Sequence, residues 1–153
     1  MGVSGCGKTT VGDALATALG WAFFDADDYH PEENIAKMGR GEALNDADRK
    51  PWLEKLSRLI DSEKERGTVI ACSALKQSYR DILNKNTPVR FIYLHGSREL
   101  IAKRIATREH FMPPKLLESQ FADLEIPGIA IQVSVDQSVS AIVEEILSQL
   151  ARQ

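Results

Sequence analysis

Residues 2–9, Gly-Val-Ser-Gly-Cys-Gly-Lys-Thr, fit the pattern G-x-x-x-x-G-K-[ST] at every fixed position. Glycines allow consecutive backbone N–H groups to curl around phosphates, and a following helix adds its positive end. The pattern predicts that Lys8 reaches the β- and γ-phosphates of a nucleoside triphosphate and that the Thr9 hydroxyl helps to hold Mg²⁺. The predicted nucleotide-binding residues are Gly2, Val3, Ser4, Gly5, Cys6, Gly7, Lys8 and Thr9. A chance glycine turn is the alternative.

A second group of candidates follows the apolar run 21–24. Ligands bind at the carboxyl ends of strands in open α/β sheets, and phosphoryl transfer needs one group near Mg²⁺ and another near the acceptor hydroxyl. In an extended segment Asp25 and Asp27 share a face, so both can point into one cleft while Asp28 turns away. The alternative is an acidic turn that starts the next helix.

Hydrophobic periodicity predicts the elements that carry these groups. Apolar, β-branched runs predict strands, and the segments between them have the spacing of helices instead of tight turns. The fold class is therefore α/β, with a parallel sheet covered on both faces. Predicted strands span 21–24, 68–72, 89–94 and 129–135. Predicted helices span 11–19, 97–107, a segment around 117–124, and 139–150 with Ser138 as its N-cap. One further helix begins at 31 and ends at 39 or 41, and another begins between 46 and 51 and ends at 67.

The start of the chain conflicts with the loop motif. A phosphate loop normally follows a strand, yet only Met1 precedes Gly2. We therefore expect the first, central strand to be missing, which would leave backbone groups of its neighbours unpaired.

Length, charge and cysteine usage exclude several classes. The 153 residues predict one domain over 1–153, and a net charge of −3 gives no general attraction to nucleic acid or to anionic membranes. Cys6 and Cys72 lie far apart without a metal-binding pattern, which favours a reducing, cytoplasmic setting. No apolar run approaches the length of a membrane span, and the first residues lack the basic-then-apolar pattern of a signal peptide, so we do not expect secretion.

The sequence resembles the gluconokinase family over nearly its whole length. The motifs that carry the resemblance are residues 2–9, 25–31, 44–46, 48–49, 51–53, 72–76, 79–81, 110–113, 116–117, 119–121, 124–125 and 133–136. The resemblance implies a three-layer α/β/α P-loop fold of the nucleoside-monophosphate-kinase type, with a helical lid at about 108–124. It also implies transfer of the ATP γ-phosphate to the 6-hydroxyl of D-gluconate, and a homodimer would be usual.

Residue roles follow from the same resemblance. Asp25 would act near Mg²⁺, and Asp27 would bind and orient the acceptor hydroxyl, with its role as a true base left open. Because gluconate is an anionic polyol, His30, Arg49, Lys76 and Arg80 are candidates to bind it. His30 could equally cap the helix that begins at Pro31.

Further alternatives concern the cations. Arg49 could be a solvent-facing charge in a first helical turn. Arg104 and Arg108 lie i, i+4 at the end of the helix predicted over 97–107. The resemblance implies that Arg108 contacts the transferring phosphate and that Arg104 lies beside the adenine. The alternative is that both arginines lie on a solvent-exposed helix face and contact no ligand.

The sequence departs from the family pattern at its start, at 108–110, which is about one residue shorter, and at 125–132, which is several residues shorter. The missing strand keeps one other function open, an N-terminally shortened, catalytically weak nucleotide-binding isoform. A second alternative is phosphorylation of another small hydroxy acid such as shikimate.

Overall fold

A computed structural model describes residues 1–107 and 113–152. The α-helices are α1 (Lys8–Leu19), α2 (Glu32–Gly39), α3 (Asp46–Glu63), α4 (Gln77–Leu83), α5 (Arg98–Ala106), α6 (Pro114–Asp123) and α7 (Val139–Leu150). The strands are β1 (Ala22–Asp25), β2 (Thr68–Ala71), β3 (Ile92–His95) and β4 (Ile131–Ser134). A 3₁₀ helix (Ala26–Tyr29) follows β1. Within the described ranges, no helix is both long enough and apolar enough to cross a membrane.

The strands form two parallel pairs. β1 pairs with β2 in the register Ala22 to Thr68, and β3 pairs with β4 in the register Ile92 to Ile131. Parallel pairing brings the carboxyl ends of all these strands to one edge, where the connections can carry a site. The α/β class and the parallel pairing predicted from the sequence are confirmed.

Met1 and Gly2 join the two pairs. The Met1 ammonium donates to the Ile92 carbonyl, and Leu94 N–H donates to the Met1 carbonyl at 2.9 Å. On the other side, Gly2 N–H donates to the Ser73 carbonyl at 3.2 Å. These bonds place the phosphate loop between the sheets. Among the described residues, β1 and β2 form one sheet and β3 and β4 form another, and no strand joins β2 to β3.

An apolar cavity of about 330 Å³ lies next to Met1 and is lined by residues of α1, β2 and β3. Leu15, Val69 and Phe91 are among the residues that line it. Residues of both strand pairs therefore line this cavity.

Helices cover the strands on both faces. One core contains Val11 and Leu15 of α1 with buried residues of α5, α7, β3 and β4. A second core contains Trp52, Leu53 and Leu56 of α3 with buried residues of α4. The three-layer arrangement implied by the resemblance is thus observed.

Three details differ from the predictions. α3 ends at Glu63 instead of Gly67, because residues 63–66 are all charged and bring no apolar side chain to the core. α4 was not predicted; it has seven residues and no side-chain N-cap, so its periodic signal is short. The lid predicted over 108–124 lies partly outside the described residues, and its described part contains α6.

Candidate active site

The phosphate loop leads directly into the N-terminus of α1. Gly5 and Gly7 have φ of 80° and 98°, which side chains rarely adopt. A Cβ on Gly5 would also come within 2.5 Å of the Ile105 side chain of α5. The two glycines are therefore required by the backbone turn and, at Gly5, by close packing.

Lys8 is folded across this loop. Its Nζ donates to the carbonyls of Gly2 and Val3, at 3.0 Å each. Cys6 N–H also donates to the Val3 carbonyl, at 3.3 Å, and the Cys6 side chain is buried in the core beneath the loop. The Cys6 side chain therefore faces away from any bound phosphate.

Thr9 and Asp25 form the next part of the site. Thr9 Oγ1 donates to Asp25 Oδ2 at 2.7 Å, and Asp25 Oδ1 accepts the Asp27 N–H at 3.0 Å. The prediction of an extended 25–28 segment is wrong, because Asp25 ends β1 and caps the 3₁₀ turn with its own side chain. The alternative of an acidic turn describes this backbone better.

The Thr9–Asp25 pair suits a hard divalent cation. Hydroxyl and carboxylate oxygens are the ligands that Mg²⁺ takes, and Mg²⁺ commonly uses one or two carboxylates together with substrate phosphates. No group of three or more His, Cys, Asp or Glu side chains that could hold a metal occurs among the described residues. A metal at Thr9 and Asp25 would therefore draw its remaining ligands from the nucleotide and water.

Asp27 lies at the open side of the cleft, with 85% of its side chain exposed. Partial loss of hydration, followed by repulsion from the Asp25 carboxylate, raises the pKa of Asp27, and the positive charge of Lys8 opposes that rise. The carboxyl is therefore accessible to an acceptor molecule and lies within the electrostatic reach of the phosphate loop.

His30 connects Asp27 to the interior. Its ring stacks on Trp52 with 4.1 Å between centroids, and its Nε2 lies 3.9 Å from Asp27 Oδ1. Asn34 Nδ2 lies 3.2 Å from His30 Nδ1, so Nδ1 accepts and the ring proton is on Nε2. Burial, and then the charge of Arg49, lower the pKa of His30 to about 4. The ring is therefore neutral at neutral pH.

The alternative role of His30 as a helix cap is not observed. Pro31 is the N-cap residue of α2, and this cap has no side-chain hydrogen bond.

Arg49 and Lys76 belong to one cluster of polar side chains, which also contains Tyr79, Asp46 and Asp123. Arg49 Nη1 donates to the Tyr79 hydroxyl at 2.9 Å, and Lys76 Nζ donates to Asp46 Oδ1 at 3.1 Å. The Tyr79 hydroxyl in turn bonds to Asp46, and Asp123 lies 3.9 Å from both cations. Only 15% of the Arg49 side chain is exposed, so the solvent-facing alternative is wrong.

Arg80 does not join this cluster. Its side chain is buried, and its Nη1 donates to the carbonyls of Ala74 and Leu75, at 2.9 and 3.0 Å. Ala74 has a φ of 44°, which is unfavourable for a residue with a side chain. The geometry therefore assigns Arg80 to holding this loop, in contrast to the predicted contact with substrate.

Of the two arginines predicted for the lid, Arg104 and Arg108, the structure describes only Arg104. Arg104 Nη2 donates to the Val135 carbonyl at 2.6 Å, which ties α5 to the segment after β4. Arg108 lies outside the described residues.

Sequence reasoning assigned no role to several polar residues of the site. They are Asp46, Tyr79, Gln120, Asp123 and Glu125. All except Asp123 fall within motifs of the family resemblance, which was the available signal.

A loop with the phosphate-binding pattern, a hydroxyl–carboxylate pair beside it and an accessible carboxyl next to a histidine are the features of a P-loop kinase with a small-molecule acceptor. The family model "Shikimate kinase" matches residues 4–151, nearly the whole chain. A shikimate kinase structure from Aquifex aeolicus has a TM-score of 0.65 at 20% identity, which shows the shared fold.

More similar proteins narrow the family. A probable gluconokinase from Xenopus tropicalis is 46% identical over 100% of this chain and 92% of its own length. The thermosensitive gluconokinase of Escherichia coli is 43% identical over 95% of this chain and 82% of its length. A crystal structure of a gluconokinase from Sinorhizobium meliloti has a TM-score of 0.92 at 45% identity, covering 99% of this chain and 89% of that one. The chain belongs to the gluconokinase family.

Proposed function

We propose that this protein transfers the γ-phosphate of ATP to the 6-hydroxyl of D-gluconate, giving 6-phospho-D-gluconate and ADP. The observation that carries the proposal is the position of the exposed Asp27 carboxyl: its backbone N–H donates to Asp25, the partner of Thr9, and its Oδ1 lies 3.9 Å from His30 Nε2. An acceptor hydroxyl at Asp27 would therefore lie close to both the Thr9–Asp25 pair and His30. The names of the relatives support gluconate as the acceptor.

The phosphate side of the reaction uses the loop and the start of α1. Lys8 would leave the carbonyls of Gly2 and Val3 and neutralise the β- and γ-phosphate oxygens. Thr9 and Asp25 would hold Mg²⁺, which supplies charge neutralisation for the phosphates. Residues 2–9 would surround the phosphates with backbone N–H groups.

The acceptor side uses Asp27 and the cation pair. Asp27 would accept a hydrogen bond from the 6-hydroxyl and orient its oxygen toward the γ-phosphorus. Arg49 and Lys76 would bind the carboxylate at the other end of the sugar acid, and His30 would donate from Nε2 to a hydroxyl. A charged end and a hydroxylated chain are the features that this set of donors matches.

Arg108 and Arg104 complete the proposal. Arg108 would contact the transferring phosphate, and Arg104 would lie beside the adenine. If so, Arg108→Ala lowers kcat far more than it weakens ATP binding, because its contact forms chiefly in the transition state. Equal kcat for the variant and the wild type would remove Arg108 from the mechanism.

The setting of the enzyme is also part of the proposal. Cys6 and Cys72 are both free and buried, which supports a reducing compartment, and we place the enzyme in the cytoplasm. We further propose a homodimer, which light scattering on the purified chain would test.

The decisive test is ADP release from ATP and Mg²⁺, measured with D-gluconate and, in parallel, with shikimate. Phosphorus NMR of the product identifies the phosphorylated hydroxyl. Turnover with D-gluconate and a 6-phosphate product supports the proposal. Turnover with shikimate but not with D-gluconate would make shikimate the acceptor in place of D-gluconate. Nucleotide binding without turnover on either compound would favour the weak nucleotide-binding isoform.

A further inference from the structure

Helix α6 touches the phosphate loop through one side chain. Gln120 Oε1 accepts the Ser4 N–H at 2.6 Å, and Gln120 Nε2 donates to Ser4 Oγ at 3.0 Å. Two bonds from one planar amide to one residue fix both the direction of the amide and the position of Ser4. The loop and α6 are therefore joined at a defined point.

The same helix touches the acceptor side one turn later. Residues three apart lie on one face of a helix, so Asp123 is on the side that carries Gln120. Asp123 lies 3.9 Å from Arg49 Nη1 and 3.9 Å from Lys76 Nζ. At that distance it attracts both cations without occupying their hydrogen-bond donors. One face of α6 therefore reaches both halves of the site.

The end of α6 is attached to the segment that carries Lys76. Glu125 N–H donates to the Leu75 carbonyl at 2.9 Å, and the Glu125 carboxylate accepts the Gln77 N–H at 2.6 Å. These bonds bracket Lys76 in the sequence. A shift of α6 would therefore be transmitted to this cation.

Leu117 of α6 is buried in the core, and Phe121 of the same helix packs against that core. The polar contacts at Ser4 and at Arg49 and Lys76 add two attachments at the site itself. A helix attached at two such points loses motion when either attachment is made rigid.

We propose that Gln120 is a positioning residue that couples nucleotide binding to acceptor binding through α6. The proposal rests on the function proposed above. Phosphates in the loop fix Ser4, Gln120 then fixes α6, and the acceptor no longer has to order that helix when it binds. By linkage, the acceptor raises the affinity for nucleotide by the same factor.

The first test needs no acceptor. Hydrogen exchange across 114–123 is measured with and without the non-hydrolysable analogue AMPPNP and Mg²⁺. The nucleotide slows exchange in the wild type and has little effect in Gln120→Leu, which keeps the size of the side chain and removes both bonds. Ser4→Ala, which removes one bond, gives an intermediate effect. Glu118→Gln, at an exposed position of the same helix, behaves as the wild type.

The second test measures the Kd of D-gluconate by calorimetry with and without AMPPNP. The affinity rises by about fivefold or more in the wild type and in Glu118→Gln, and the ratio falls toward one in Gln120→Leu. Equal exchange protection, or an equal Kd ratio, in the wild type and Gln120→Leu overturns the proposal. If D-gluconate fails to bind the wild type while the exchange effect still depends on Gln120, the proposed acceptor is wrong, whereas the link from the phosphate loop through Gln120 to α6 is supported.

Discussion

The neutral state of His30 predicts a specific pH dependence of stability. The folded protein holds the ring with 4% of its side chain exposed, stacked on Trp52, and burial together with Arg49 lowers its pKa from 6.5 to about 4. In the unfolded chain the ring regains its ordinary pKa. Between pH 4 and 6.5 the unfolded state therefore binds more protons, and the free energy of unfolding rises with pH.

The size of the effect follows from the shift. A difference of about 2.5 pKa units at about 1.4 kcal/mol each corresponds to roughly 3 kcal/mol. This stability is fully present above pH 6.5 and is lost as the pH falls toward 4. Hydrogen bonds also lower the pKa values of Asp46 and Asp48, so protonation of these carboxylates in acid lowers the free energy of unfolding as well. A matched variant is therefore needed to isolate the contribution of His30.

His30→Phe supplies that comparison, because it retains an aromatic ring against Trp52 and cannot titrate. Urea unfolding of both proteins at several pH values between 4 and 8 gives the difference in their free energies of unfolding. The wild type should lose about 3 kcal/mol relative to the variant between pH 7 and pH 4. A difference that is independent of pH, or an NMR titration midpoint of His30 near 6.5, would refute the reasoning.

Three further predictions concern single side chains. Lys8→Ala lowers kcat by about 10²-fold or more without changing the melting temperature, because among the described residues its amine bonds to loop carbonyls and not to the core; a large loss of stability in thermal melts would contradict this. Asp27→Asn lowers kcat by about 10²–10⁴-fold with unchanged AMPPNP affinity, whereas exposed Asp28→Asn keeps wild-type kinetics. Arg80→Met destabilises the fold by about 2–4 kcal/mol in urea unfolding, since two carbonyls lose their donor. Normal stability with a raised KM for D-gluconate would instead restore Arg80 as a substrate ligand.

Local sequence patterns predicted the fold best where many apolar residues repeat. α7 begins after Ser138 and ends at Leu150, as its periodicity and its N-cap indicate. The acidic segment after β1 was harder, because its spacing fits either a continued strand or a turn, although aspartate is depleted in strands and favoured in turns. Here the Asp25 side chain accepts the Asp27 N–H and closes the 3₁₀ turn.

The candidate site divides in a similar way. The phosphate loop is contiguous in sequence, so its residues could be assigned together. The acceptor cluster joins α3, α4 and α6, and sequence reasoning could not tell that Arg49 turns inward while Arg80 is used to hold a loop. That distinction depends on which carbonyls lie within reach of each guanidinium, and only the packed structure determines it.

The charges around the acceptor cluster explain why the attachment of α6 matters for binding. Arg49 and Lys76 face Asp46 and Asp123, and His30 is neutral, so the cluster has little net charge. A monoanionic acceptor therefore gains less from long-range attraction than from hydrogen bonds to donors in fixed directions. Fixed donors require Asp123 and the segment around Lys76 to be in place, and both depend on α6. The contact of α6 with the phosphate loop is thus the point at which nucleotide binding can prepare the acceptor site.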